Sequence, residues 1–307
     1  MAESPAATTA RAAMSAAAPS LTIRAFDGVA LLGEDDLVPG DRPETRRLGG
    51  LAVTARWTRA ASSVPAWDVD LSVENVSGEA VRAGVVVAIR LPPSDDPQWL
   101  VPGLFYGENR PAESRARYPR WAPATQDDPF AAPDWSFRPD RTATPAVFAT
   151  SDGRRLALAT TELSPVGPTG VGFGGGGDPA EPLEVRLCFP YREEPVVYDG
   201  GSEPRPPDLP THRWEPGAPA RLAFRVYAAP AGPHASMPIL RELHARPAGA
   251  TPFVPPLAID EAARLAAEGL LRWHHRAAEA AIHETAAFDR RGDGLGLEPG
   301  DRPAMHV

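Results

Sequence analysis

Two neighbouring runs decide the fold. Trp67-Asp-Val-Asp-Leu-Ser-Val-Glu-Asn75 is followed closely by Val81-Arg-Ala-Gly-Val-Val-Val-Ala-Ile-Arg-Leu91. In an extended chain successive side chains point to opposite faces. Trp67, Val69, Leu71 and Val73 therefore share one face, and Asp68, Asp70, Ser72 and Glu74 share the other. Val81, Ala83, Val85, Val87, Ile89 and Leu91 repeat the alternation. One dry and one wet face is the pattern of an antiparallel sheet covering a core. Asn75-Val-Ser-Gly78 turns the chain, so the two runs read as a strand pair. Asn75-Val-Ser77 also matches a glycosylation acceptor, for which the turn is the simpler use.

The same period extends outward. Leu21, Ile23 and Ala25 share a face before an Asp27-Gly28 turn, and Leu51, Val53, Ala55 and Trp57 alternate with polar residues. The stretch from Asp35 to Arg47 is charged and broken by Pro39 and Pro43, and reads as loop. Ala146–Thr150 and Leu156–Thr160 flank Asp152-Gly153, a pair that tolerates the positive φ of a tight hairpin. Leu183–Phe189 and the Leu222, Phe224, Val226 run add further strands. The expected fold is mainly β, a large antiparallel β-sandwich (supersandwich) followed by a short linker helix and one or two C-terminal helices. The helices fall at Ser236–Arg246 and from a capping Asp260 through Trp273, with Ala262, Ala266, Leu270 and Trp273 along one side. The implied boundaries are a disordered tail at 1–20, the sandwich at 21–232, a linker at 233–256, and the start of an incomplete helical domain at 257–307.

Composition narrows the classes. The 307 residues include 37 Pro and 27 Gly, which favour short strands and turns over helix. A net charge of -9 argues against a nucleic-acid partner, and no apolar run is long enough for a membrane span. Residues 1–20 lack the basic and apolar segments of a signal peptide, so the cytoplasm is the default compartment. The lone Cys188 excludes an internal disulfide and a cysteine zinc site, and reads as a small strand residue.

Gly170-Val-Gly-Phe-Gly-Gly175 matches a dinucleotide fingerprint formally, but Gly176-Gly-Asp-Pro-Ala-Glu-Pro182 follows where a helix is required. It reads as a flexible inter-strand loop, and no cofactor is expected. His274 and His275 diverge on a helix, and no H-E-x-x-H pattern occurs, so no metal is expected. A nucleophile elbow is also lacking. Carbohydrate chemistry remains, and Trp99-Leu-Val-Pro-Gly-Leu-Phe-Tyr-Gly-Glu-Asn-Arg110 suits it, with aromatic platforms beside a carboxylate and a guanidinium. Glycoside hydrolysis needs two carboxyls at a fixed separation. The candidates are Glu108, Glu284 and Asp289, although Glu108 could instead pair with Arg110, Arg115, Arg117 or Arg120. Part of the aromatic set (Trp99, Phe105, Tyr106, Trp121, Trp135) is expected to pack its own loop onto the sandwich.

The segments Pro102–Arg110, Trp135-Ser-Phe-Arg-Pro-Asp-Arg141 and Ile282-His-Glu-Thr-Ala-Ala-Phe-Asp-Arg290 give a resemblance. Together with the order sandwich, short helix, Pro-rich connector and helix, they resemble the N-terminal supersandwich and linker of six-hairpin glycosidases, which precede an (α/α)6 barrel. The resemblance implies a C-terminally truncated glycoside-hydrolase-like chain, inactive alone, whose partner is the missing helical barrel and whose substrate is an oligosaccharide or glycoside. It implies Tyr106, Glu108, Asn109, Arg110, Trp135 and Arg138 as substrate contacts, with Glu284 and Asp289 at the rim of the cleft. A self-standing carbohydrate-binding or scaffold module is the alternative. A polysaccharide lyase, with Tyr106 as base and Arg110 neutralising a uronate, is the third.

Overall fold

The computed structural model describes residues 18–93, 98–106, 134–151, 153–160, 162–174, 182–192, 207–245, 257–276 and 281–282. The chain forms two compact units, Met1–Pro247 and Ala248–Val307. The first is mainly β, built from two large antiparallel sheets.

The first sheet contains β1 (Leu21–Asp27), β2 (Ala30–Leu37), β6 (Val81–Leu91), β9 (Asp134–Phe137), β12 (Gly170–Gly174) and β13 (Leu183–Phe189), in the order β2-β1-β6-β13-β12-β9. A short β14 (His212–Trp214) also pairs with β6. The second contains β3 (Glu44–Leu48), β4 (Leu51–Arg59), β5 (Ala66–Asn75), β7 (Gln98–Val101), β8 (Phe105–Tyr106), β10 (Ala146–Ser151), β11 (Arg154–Thr160) and β15 (Ala220–Pro230). Its order is β3-β4-β5-β15-β11-β10-β7-β8, so β15 lies between strands from early and middle parts of the chain.

The apolar faces read from the sequence meet between the sheets. Ile23, Val85, Val87 and Leu187 from one side and Val69, Leu71, Leu158 and Phe224 from the other are buried in one cluster. Burial of each such side chain stabilises the fold by about 1.5–3 kcal/mol. A smaller cluster covers the outer face of the second sheet, where Phe148, Ala157 and Tyr227 pack under Ile239 of α1 (Met237–Ala245). Cys188 is buried in β13.

Several expectations change. The β5 and β6 runs are consecutive but unpaired, because each sits in a different sheet. Asn75 makes the crossing. Its amide donates to Glu79 O at 2.7 Å and Trp214 O at 2.8 Å, and its Oδ1 accepts from Ser77 N at 2.9 Å and Ser77 Oγ at 2.7 Å. With Asn75 1% exposed, this amide is a structural tie and is closed to glycan attachment. The charged 35–47 stretch is largely strand, since β2 runs to Leu37 and β3 starts at Glu44, with both prolines in the connection. Its charges are partnered locally: Thr22 Oγ1 donates to Asp36 at 2.7 Å, and Arg46 pairs with Asp35 at 3.3 Å and with Glu44.

Gly170–Gly174 is the buried strand β12, held between β13 and β9, and not a flexible loop. Glycine is required by close approach: a Cβ at residue 172 would lie 2.4 Å from the Trp135 carbonyl oxygen, and one at residue 170 would lie 2.8 Å from the Tyr191 ring. In the second unit, α2 (Ile259–Gly269) continues as a wider turn, Leu270–His274. Ala258, rather than Asp260, occupies its N-cap position, and no side chain caps it. Asp260 and Glu261 act instead from the first turn, where negative charge favours the helix dipole. A two-residue pairing, His275–Arg276 with Ala281–Ile282, follows.

Candidate functional site

β8 is the edge of the second sheet and β9 the edge of the first. Four aromatics fill the core near these edges. Trp99 stacks on Phe173 at 4.9 Å between ring centroids, with Phe105 at 5.2 Å and Phe137 at 5.8 Å from the same ring. Trp99 is only 1% exposed, so it and Phe105 serve the core. Tyr106 takes the opposite face of β8 by simple alternation and is 45% exposed. Its hydroxyl accepts the Gly103 N–H at 2.7 Å, holding the ring over the preceding turn. Trp135 is half-buried against the core. Glu108, Asn109, Arg110, Trp121, Glu284 and Asp289 lie outside the described residues.

Beyond β9, Arg138 closes on the turn that follows it. Its Nε donates to Asp140 Oδ1 at 3.0 Å and its Nη2 to Oδ2 at 2.8 Å. Pro139 presets the backbone of the short 3-10 turn Pro139–Arg141 that brings the two side chains together. These hydrogen bonds, with the nearby positive charge of Arg141, hold the Asp140 carboxyl below its usual range and therefore ionised.

Asp140 forms part of the wall of a cavity of about 950 Å³. Pro139, Thr144 and Pro145 continue that wall, Glu162, Ser164 and Pro168 come from the segment after β11, and Leu243 of α1 closes a further side. Glu162 is engaged by Arg221, which also pairs with Asp70. Neither Tyr106 nor Trp135 is among the described lining residues, and the described lining contains no aromatic ring.

The position of Leu243 follows from how α1 is fixed. Ile239 is buried in the outer cluster, and Glu242 accepts hydrogen bonds from Arg225, Ser62 and, at 3.0 Å, the Tyr227 hydroxyl. Arg225 also forks onto Asp68, at 2.8 and 2.7 Å. Burial opposes the Arg225 charge, but the Asp68 hydrogen bonds outweigh it. Burial, then the Glu242 carboxylate, push the Tyr227 hydroxyl well above its usual range.

A second charged group lies across the first sheet. Arg24 Nη1 donates to Glu184 at 2.8 Å, and Arg90 bridges Glu34 at 2.8 Å and Glu184 at 3.3 Å. Two arginines and two glutamates satisfy one another, the arrangement of a cross-strand tie. Among the described residues, no group of three or more His, Cys, Asp or Glu side chains could hold a metal ion.

Asp140, Glu162 and Leu243 were not candidates from sequence. The Arg138-Pro-Asp140 spacing is a local cue for the first. Glu162 and Leu243 carry none, because only the tertiary fold brings their segments together.

No family model matches the chain, and no curated protein matches it. Among solved structures it is similar to a putative aldose 1-epimerase from Escherichia coli K12, at 15% identity and TM-score 0.34, over 69% of this chain and 66% of that one. It is also similar to a polysaccharide lyase at 12% identity and TM-score 0.33, over 73% of this chain and 28% of that one. A galactose mutarotase related enzyme from Lactobacillus acidophilus matches at 15% identity and TM-score 0.31, over 58% of this chain and 61% of that one.

Proposed function

We propose that this chain is the carbohydrate-contacting sandwich part of a glycoside-hydrolase-like protein, and that the cavity beside the Arg138–Asp140 fork is a sugar subsite. The observation that carries the reading is the mixed wall of that cavity. Pro139, Pro145, Pro168 and Leu243 offer apolar surface to the C–H face of a sugar ring, while Asp140 and Glu162 offer acceptors to its hydroxyls. Its size, about 950 Å³, lies within the range of small-molecule sites.

A hydrolase needs a protonated acid beside the scissile bond. Arg138 keeps Asp140 ionised, so Asp140 suits hydroxyl recognition rather than proton donation. In the six-hairpin architecture the acid and its partner carboxyl would come from elsewhere, with Glu108, Glu284 and Asp289 the proposed candidates. Tyr106, Glu108, Asn109, Arg110, Trp135 and Arg138 are proposed as further substrate contacts, Tyr106, Trp135 and Arg138 lying outside the described wall of the cavity, and an (α/α) barrel beginning near residue 257 is the proposed partner domain. The exposed Leu265 on α2 and Leu271 on the wider turn that follows support an apolar partner for this segment. A self-standing carbohydrate-binding or scaffold module is the second reading, favoured by the ionised Asp140.

Calorimetric titration with neutral cello- and malto-oligosaccharides tests the subsite. Binding that falls at least tenfold in Asp140→Ala and Arg138→Ala supports it. Binding unchanged in both variants, or absent from the unmodified chain, overturns it.

A further inference from the structure

We infer that the cavity selects neutral, hydroxyl-rich saccharides over acidic ones, an inference that rests on the subsite reading above. Its two carboxylates come from different segments: Asp140 from the turn after β9, and Glu162 from the segment after β11. Each is already met by a guanidinium that is not among the lining residues. Arg138 occupies both oxygens of Asp140, and Arg221 divides its donors between Glu162 and Asp70. Among the described residues the wall itself contains no Arg or His, and its other polar side chains are the hydroxyls of Thr144, Thr160, Ser164 and Thr169.

Among the described residues this wall is rich in acceptors and holds no cationic donor of its own. A carboxylate accepts from more than one donor, so the oxygens of Asp140 and Glu162 can each take a sugar hydroxyl proton beside their guanidinium. Such charge-assisted bonds are the stronger kind. A uronate ligand would instead bring a third carboxylate to two existing ones. It would give up hydration, and among the described lining residues only hydroxyl donors would meet it. Arg141 lies on the same turn as Asp140 and acts on that carboxylate. It is absent from the described wall.

The test uses the full chain with cello-oligosaccharides and their C6-oxidised counterparts, which differ only in carrying a uronate for the hydroxymethyl group. Calorimetry is expected to show at least tenfold tighter binding of the neutral series. Asp140→Asn should weaken the neutral ligand and strengthen the acidic one, because it releases the Arg138 fork, and so narrow or reverse the preference. Asp140 and Glu162 are exposed, so this variant and Glu162→Gln should keep the unmodified melting temperature. Equal or tighter binding of the oxidised series to the unmodified chain overturns the inference, all the more clearly if Arg141→Gln abolishes that binding. If neither series binds, the subsite reading fails and takes this inference with it. If both series bind and Asp140→Asn leaves their ratio unchanged, the selectivity alone fails.

Discussion

Glu242 of α1 and Arg225 of β15 form an ion pair in which the Arg225 side chain is only 8% exposed. The pair joins a helix to the outer face of a sheet, and the next residue along the helix, Leu243, is a wall of the cavity. An electrostatic tie and a cavity wall are thus one residue apart.

Removing one partner of such a pair leaves the other buried and uncompensated, at a cost of about 3–5 kcal/mol when burial is complete. Arg225 keeps Asp68, so Glu242→Ala should cost less, about 1–3 kcal/mol. Arg225→Ala should cost more, because it leaves both carboxylates behind. Urea unfolding measures both, and equal effects would show that Asp68 does not share the charge.

Gly172→Ala should destabilise the sandwich by about 1–3 kcal/mol, the range for overpacking. The added methyl meets a backbone oxygen, which cannot swing aside as a side-chain tip would. Gly78→Ala, where nothing lies within 4 Å, is the control and should change stability little. Comparable melting temperatures for the two variants would contradict the close approach of β12 and β9.

Acid should weaken the first sheet through Glu184. Burial raises its pKa, but the hydrogen bonds from Arg24 and its positive charge outweigh that and hold the folded value below the usual 4.5. A depressed folded pKa contributes stability that is present above the unfolded value and lost as pH falls through the folded one. Unfolding free energy should therefore drop below about pH 4.5. Glu184→Gln should be less stable at neutral pH and show a shallower acid slope in denaturation measured from pH 6 downward.

Arg138→Ala should let the Asp140 pKa rise toward an ordinary carboxyl value. Saccharide affinity in this variant should then decline at a higher pH than in the unmodified chain. Calorimetry across pH 3.5–7 reads the difference, and superimposable profiles would remove Arg138 from the subsite (the range spans ordinary carboxyl titration).

Much of the architecture is legible because period-two patterning is a local property. The faces of β4 and β5, the β10–β11 hairpin and the α1 segment can all be read in order. Pairing is not local, so nothing in Trp67–Leu91 reveals that β5 and β6 part company at Asn75. Glycine misleads at β12, where the absence of side chains marks tight inter-strand packing rather than looseness. Aromatic residues are ambiguous for a similar reason. Trp99 and Tyr106 look alike in sequence, and only their places on β7 and β8 separate a core ring from an exposed one. The cavity was the least legible feature, since Asp140, Glu162 and Leu243 become neighbours only after the sheets and α1 have assembled.

The placement of β15 has a consequence for synthesis. Its neighbours are β5 on one side, through Ala220–Tyr227, and β11 on the other, through Arg154–Thr160. A growing chain released from the ribosome before residue 220 therefore holds two unjoined half-sheets with unpaired edges facing a gap. Joining them closes long loops, the slow step for topologies dominated by distant pairings. The edges of β5 and β11 that β15 joins therefore stay unpaired until nearly the whole sandwich has been made.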